Sequence, residues 1–317
     1  MRIRELDAAV AAEAELLAVH ALEEACAPPG EPFREPELSL AYYRHWPAGD
    51  VRRRWLADDE GGPPGAAALM MHGLAFVYVD IVVHPERRRR GVGSALLEKL
   101  CDAAREHGAH SFFGHHWTAA GAAFAAHVGA RDDQRDVRAV LDLRSAELPD
   151  PVVPAGWRLL SWVGTAPDEL VESFARARDA MNDAPSPDGV QAWTTTVDEV
   201  RQAEEAASLR GREVRVTVAL DERDEIVAFT DVRATPGSAA AATDDTAVVA
   251  AARGHGLGRA VKLESLRRLR AERPEVETVS TMNAEHNAAM RHINTSIGFV
   301  PTSTLTTTVL MLDERPA

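Results

Sequence analysis

Arg88-Arg89-Arg90-Gly91-Val92-Gly93 and Arg253-Gly254-His255-Gly256-Leu257-Gly258 are two copies of one pattern, Arg-x-x-Gly-x-Gly, in a chain of 317 residues. A valine-rich apolar run precedes each copy, Phe76 to Val83 and Thr246 to Ala250, and an amphipathic helical period follows directly. Strand, tight turn and helix N-terminus together suit phosphate: glycines let the backbone come close to an anion, and the helix adds the positive end of its dipole. Neither copy carries the Lys-Ser/Thr of a triphosphate loop, and neither extends to Gly-x-Gly-x-x-Gly with a distant acid, as a dinucleotide fold requires. Asp80 lies eight residues before Arg88 and Asp245 eight before Arg253, so one offset superposes carboxylate and turn alike.

A repeat of this length is a duplicated domain, and the chain is long enough for two cores. Residues 144–154 hold Pro149, Pro151 and Pro154 without an apolar period, which divides the chain into 1–146, a linker at 147–154, and 155–317. The first domain opens with a helical pattern, Ala8 to Ala27, stopped by Pro28-Pro29-Gly30, then a short helix, Leu38 to His45. Arg52–Ala57 and Ala66–His72 read as a hairpin around Gly61-Gly62-Pro63-Pro64-Gly65, and a helix runs from Val92 to His107. The second domain repeats the order. Strand Trp157–Trp162 precedes helices Pro167–Met181 and Asp198–Ser208, which flank a loop holding Asp183, Pro185 and Pro187. A hairpin (Val214–Leu220, Ile226–Val232), a helix (Leu257–Arg270), a strand (Val276–Met282), a helix from about Ala284 to Ser296 and a closing strand (Thr304–Met311) complete it. The expected class is α/β (α+β), two tandem domains, each a mixed, mostly antiparallel sheet flanked by helices.

Composition narrows the function. Hydrophobic residues make up 45% of the chain, no apolar run suffices to span a bilayer, and the charged start is no secretion signal, so a cytoplasmic protein is expected. A net charge of −14 disfavours nucleic acid. Cys26 and Cys101 form no Cys-x-x-Cys, and His115-His116 has no third ligand at a suitable spacing, so no metal is expected.

Strand, Arg-x-x-Gly-x-Gly and helix resemble the acetyl-CoA-binding motif of the Gcn5-related N-acetyltransferases (GNAT), to which His84-Pro85-Glu86 is a common lead-in. Thr281-Met282-Asn283-Ala284-Glu285-His286-Asn287, with Met290, Asn294 and Gly298-Phe299, is similar to the strand–helix motif that follows it in that family. Together with Met181-Asn182-Asp183-Ala184-Pro185, the pattern resembles a subgroup of two-domain actinobacterial members that includes distant relatives of mycothiol synthase. The resemblance implies transfer of an acetyl group from acetyl-CoA (coenzyme A) to the primary amine of a small molecule by direct attack. A non-catalytic acyl-CoA sensor and a protein N-acetyltransferase stay open as alternatives.

The same resemblance assigns cofactor contacts to Val248, Val249, Arg253, Gly254, His255, Gly256, Leu257, Gly258, Arg259, Asn287 and Asn294 in the second half. In the first half it assigns Ile81, Val82, Val83, Arg88, Arg89, Arg90, Gly91, Val92, Gly93 and Ser94. A strand amide is to polarise the thioester carbonyl, and the turn amides are to hold pyrophosphate. Asp245 is the expected base and Asp80 its counterpart, either of them needing burial or a relay water to serve an amine. Asn182 and Asp183 are the expected acceptor contacts. Many members carry a Tyr four residues before the glycine of the last motif as acid for the leaving thiolate; here that position is Asn294, and Ala125 in the first half, and Asn gives up no proton usefully. Asn287, Arg291 and Asn294 share one helix face, with Met290, Ile293 and Ile297 on the buried one, and Asn283 reads equally as an N-cap. With Thr118 in place of Asn287, the first domain is expected to bind cofactor but to be silent in catalysis. Asp179, Asp183, Asp188, Asp244 and Asp245 on the acceptor side, against Arg253 and Arg259, favour a cationic amine. The sequence leaves monomer and homodimer open.

Overall fold

The computed structural model describes residues 1–27, 33–47, 50–59, 62–72, 76–186 and 192–312. Pro28, Pro29, Gly30, Gly61, Pro187 and Asp188, used above, lie outside them. The chain forms two compact units, residues 1–134 with 305–312, and 135–186 with 192–304.

In the first unit, β1 (Arg2–Glu5), β2 (Val51–Asp58), β3 (Gly65–His72) and β4 (Phe76–Val83) form an antiparallel meander, and β5 (Ser111–His116) joins β4 in parallel. Helices α1 (Glu13–Cys26) and α2 (Pro36–Arg44) bury Leu16, Val19, Leu22 and Tyr43 against Leu56 and Ala66 on one face. Helix α3 (Val92–Glu106) presses Leu96, Leu97 and Leu100 against Leu69, Val79 and Phe112 on the other. Phe124 of α4 (Ala119–Val128) packs beside this cluster, and β6 (Arg131–Asp142) follows.

The second unit repeats the plan. Strands β7 (Arg158–Val163), β8 (Glu213–Leu220), β9 (Ile226–Ala234) and β10 (Ala240–Val248) are antiparallel, and β11 (Thr278–Ala284) joins β10 in parallel. Helices α5 (Val171–Arg178) and α6 (Val197–Leu209) cover Val218 and Phe229 with Val171, Phe174 and Val200. Helix α7 (Leu257–Glu272) seals the other face with Leu263, Leu266 and Leu269 on Val232 and Val279. Helix α8 (Ala288–Ile297) and β12 (Val300–Met311) end the described chain.

The last strand of each sheet comes from the other half of the sequence. Residues 306–311 of β12 pair antiparallel with β5, and residues 136–142 of β6 pair antiparallel with β11. Leu310 accordingly sits in the first core and Leu141 in the second. The compact units therefore differ from the division at 146 and 155. Proline content marks a linker, but pairing partners, which decide compactness, leave no local trace. Strand β6, RDDQRDVRAVLD, went unrecognised because its charged first half hides the alternation of Val137, Ala139 and Leu141. Strand β10 starts six residues before the expected Thr246, through an alanine run of low strand propensity.

Leu310→Ala should cost about 2–5 kcal/mol, and hydrogen exchange should quicken in α3 while α7 keeps its protection. Leu141→Ala should do the reverse.

Candidate active site

Strands β10 and β11 pair at only three positions, Ala240↔Thr278, Ala241↔Val279 and Ala242↔Ser280. Beyond them β10 stays with β9 as far as Val248, and β11 with β6 as far as Ala284, so the two diverge and a gap opens between them. At its mouth β10 carries an irregularity: Thr243 pairs with Val232 but Thr246 with Thr230, one residue too many on β10. Asp244 and Asp245 form this bulge, a device that re-aims backbone and side chains. Past it, Val249 donates its N–H to Val227 O at 2.9 Å and is committed to β9. Antiparallel alternation therefore turns the Val248 amide away from β9 and toward the gap. Of the two expected carbonyl donors, Val248 is thus available and Val249 is not.

The turn beside the gap is built as an anion cradle. Gly254 and Gly256 have φ of +82° and +81°, a region that L side chains rarely adopt, and nothing lies within 4 Å of where a Cβ on either would stand. Helix α7 then starts with no side-chain cap and no acid in its first turn, and its first internal bond is Ala260 N–H to Gly256 O at 3.0 Å. The amides of Leu257, Gly258 and Arg259 precede that bond and point out of the helix end. Arg253 braces the turn: its Nε donates to Val248 O at 3.0 Å and its Nη2 pairs with Asp183 at 2.5 Å. His255 leans on Trp157, ring centroids 4.9 Å apart, and Arg259 Nε donates to Ser296 Oγ at 3.2 Å.

On the opposite face of the sheet lies a group of carboxylates. Asp245 is part-exposed and ion-paired with Arg178 at 2.9 Å, while Asp244 pairs with Arg233. Behind them is Asp231, 4% exposed, whose Oδ1 accepts the Asp245 N–H at 2.6 Å and whose Oδ2 lies 3.9 Å from Arg178. Burial, then the charges of Asp245 and Asp244, push the Asp231 carboxyl up to about 7. Nothing in the sequence singled out Asp231. Its signal was an acid inside a strand otherwise reading as core, IVAFTDVRA. The expected acidic surplus is also smaller than a count suggests: Asp183, Asp244 and Asp245 each face an arginine, and the Asp179 side chain accepts the Thr195 N–H at 2.8 Å.

Other expected site residues serve the scaffold. The Asn182 side chain clasps Trp193, donating to its carbonyl at 2.7 Å and accepting its N–H at 3.0 Å, and so holds the chain ahead of α6. Asn287 caps α8, its Oδ1 accepting from Met290 N at 3.1 Å; Asn283 stands in β11 and is no cap. Asn294, expected on the open face of α8, is 3% exposed and donates to Asn283 Oδ1 at 2.6 Å, because α8 turns it inward with Ile297.

The first unit keeps the turn but not the bulge. Arg88 Nε donates to Val83 O at 3.1 Å, as Arg253 does to Val248, and Gly91 repeats the left-handed φ at +79°. Arg89, at the position of Gly254, takes φ of +62°. Strands β3 and β4 run in unbroken register, Asp80 opposite Ala68, and Ala68 occupies the place of Asp231. Asp80 is solvent-accessible but set in a recess, where burial and then the Glu23 carboxylate raise its pKa. In the same register Tyr78 and His115 take the places of Ala242 and Met282. The Tyr78 hydroxyl bonds His115 Nδ1, with ring centroids 4.3 Å apart, a pair that the second unit lacks. Burial lowers His115 to about 4, so the imidazole is neutral.

The model of the acetyltransferase (GNAT) family matches residues 16–128. The chain is 30% identical over 251 residues to a protein named mycothiol acetyltransferase from Nocardia farcinica, covering 78% of this chain and 80% of that one. A second of that name, from Frankia casuarinae, is 30% identical over 239 residues, covering 70% and 64%. Among solved structures, a tandem GNAT protein from the clavulanic acid biosynthesis pathway superposes with a TM-score of 0.84 at 27% identity, covering 100% of this chain and 99% of that one. A GCN5-related N-acetyltransferase from Sphaerobacter thermophilus shares the fold, with a TM-score of 0.69 at 16% identity, covering 99% and 96%.

Asp231 sets a pH dependence whose sign follows from its raised pKa. Protonated, it is stable in its buried place; as the pH climbs from about 4, where it ionises unfolded, through about 7, where it ionises folded, that stability is lost. Asp231→Asn keeps an oxygen for the Asp245 amide and cannot ionise. Urea unfolding at pH 4 and pH 8 should show its stability relative to the parent improving by roughly 1–3 kcal/mol at the higher pH.

Proposed function

The chain belongs to the GNAT family of acetyltransferases, and we propose that its second unit moves an acetyl group from acetyl-CoA to the primary amine of a small molecule by direct attack. The observation that carries this reading is the parting of β10 from β11 after Ala242, which leaves the Val248 amide, turned from β9, beside an open gap and next to an uncapped phosphate cradle. The cradle fits coenzyme A: glycines at positive φ with open space where a side chain would stand, outward amides and no acid in the first turn of α7 suit a pyrophosphate. Gly254, Gly256 and the amides of Leu257, Gly258 and Arg259 would hold the phosphates, with Arg253 bracing the turn.

The chain's own groups divide the remaining work. Val248 N–H points at the developing negative charge on the carbonyl oxygen, and such a fixed donor stabilises it more than water does. Asp245 receives the acceptor amine and takes its proton directly or through a water, with Arg178 holding the carboxylate in place. Asp231 fixes the bulge and so the direction of Asp245. Asp244 and Asp245 are balanced by Arg233 and Arg178, and Asp231 adds a negative charge only once it loses its proton near neutrality, which then favours a protonated amine. Similarity to proteins named mycothiol acetyltransferases supports a small-molecule acceptor. The first unit keeps a phosphate turn while Tyr78 and His115 close its acceptor face, which supports a role other than catalysis there.

Gly256→Val should weaken acetyl-CoA binding about 100-fold or more in calorimetry on the folded variant, since a branched side chain at positive φ would occupy the cradle. Unchanged affinity, with the first turn intact, would move the donor to the first unit. Asp245→Asn should lower kcat about 10²-fold in a thiol-release assay over an amine panel while acetyl-CoA affinity holds. Loss of acceptor affinity alone would make Asp245 a binding residue.

A further inference from the structure

The second unit buries two polar atoms without partners on facing helices. Lys262, midway along α7, is 2% exposed, and its Nζ has no hydrogen-bond partner. Asn294 of α8 spends its Nδ2 on Asn283 and leaves its Oδ1 buried and unmatched. Unmatched buried groups are costly, so natural cores rarely keep them without a use. The fold itself requires neither: the first unit has Leu97 at the position of Lys262, 2% exposed and wholly apolar, and Ala125 at that of Asn294.

Their place is under the gap. One turn before Lys262 on the same face of α7, a Cβ on Gly258 would stand 3.3 Å from Ile293 of α8 and 3.4 Å from Val248 of β10. Lys262 Nζ lies 5.6 Å from the centroid of Phe299, whose N–H donates to Asn294 O at 3.0 Å. By helical spacing Lys262 thus lies on the face of α7 turned to β10, which carries the Val248 amide, and to α8, which carries Asn294, the position left without an acid.

We propose that Lys262, with Asn294 beside it, supplies the proton that the departing thiolate needs. The proposal rests on the acetyl-transfer reading. As the amine nitrogen bonds to the carbonyl carbon and the C–S bond breaks, the bonding pair stays on sulfur. The Lys262 ammonium then gives sulfur a proton and becomes a neutral amine, which regains one from solvent. The proton shed by the acceptor nitrogen goes to the carboxylates at the bulge, so protons balance over the cycle.

The electrostatics agree. Charged groups on the elements packed against α7 are Arg158 on β7, Glu213 and Arg215 on β8, Asp231 and Arg233 on β9, Asp244 and Asp245 on β10, and Arg291 and His292 on α8. Of these, Asp231 acts on Lys262, favouring its charge, while burial opposes it more strongly and brings the amine down to about 7. An amine that exchanges its proton near neutrality suits a thiol, whose own pKa is about 8.5.

The test uses coenzyme A and the full chain. Titration of bound coenzyme A, followed by thiolate absorbance, should give a midpoint below that of the free thiol. Lys262→Leu, which installs the residue of the first unit, should raise the midpoint by about one pH unit or more while coenzyme A still binds. Lys262→Met, which keeps the length of the stem, should do the same. Turnover in both should fall about 10²-fold, with loss of the alkaline limb of the pH profile. If variants that bind coenzyme A leave the midpoint where it was, Lys262 does not face the sulfur and the proposal fails while acetyl transfer stands. If the parent protein does not bind coenzyme A, both readings fail.

Discussion

One hydrogen bond sets the geometry of the second unit: Asp231 Oδ1 accepting the backbone N–H of Asp245. A strand carrying a surplus residue has an amide with no place in the ladder, and burying it unpaired would be costly. Asp231 supplies the missing acceptor from the neighbouring strand. With the bulge held, Asp245 faces Arg178, and the residues beyond regain register with Val248 turned to the gap. The cost appears in the group itself, a buried carboxyl that prefers its proton up to about neutrality. Arg178, near both Asp231 and Asp245, moderates it.

The two halves show how few changes separate a bulged strand from a regular one on one scaffold. Both keep the arginine that braces the turn and the left-handed glycine after it. The first half has Ala68 for Asp231, and its ladder is unbroken; it has Tyr78 and His115 for Ala242 and Met282, and these two side chains bond to each other. Even the turn has drifted, with Arg89 held at a positive φ that Gly254 adopts freely.

Much of the fold was legible because its signals are local. Glycines at fixed offsets, valine-rich strands and helix periods placed the turns, hairpins and principal helices within a few residues. The repeat and its spacing point to Asp245 and to the glycines that take positive φ in the second turn. They do not point to Asp231 or Lys262, since each lies in a run that reads as core and owes its meaning to neighbours distant in sequence. Asn182 and Asn287 show the converse: an asparagine that clasps a loop or caps a helix has the same letter as one that touches a ligand. Strand pairing was the least legible, because β6 and β12 are completed by partners on the far side of the sequence.

That exchange of strands bears on how the chain is made. During synthesis the N-terminal residues emerge first, yet the sheet they form lacks its outer strand until residues 306–311 have left the ribosome, almost the entire chain later. The second sheet, by contrast, has its outer strand, β6, waiting before the rest of it exists. The half made first is therefore finished last, and its β5 edge stays a bare row of backbone donors and acceptors throughout elongation. A gene cut at the proline-rich segment would deliver neither half whole, so each half is tied to the other by construction and is not free to be discarded.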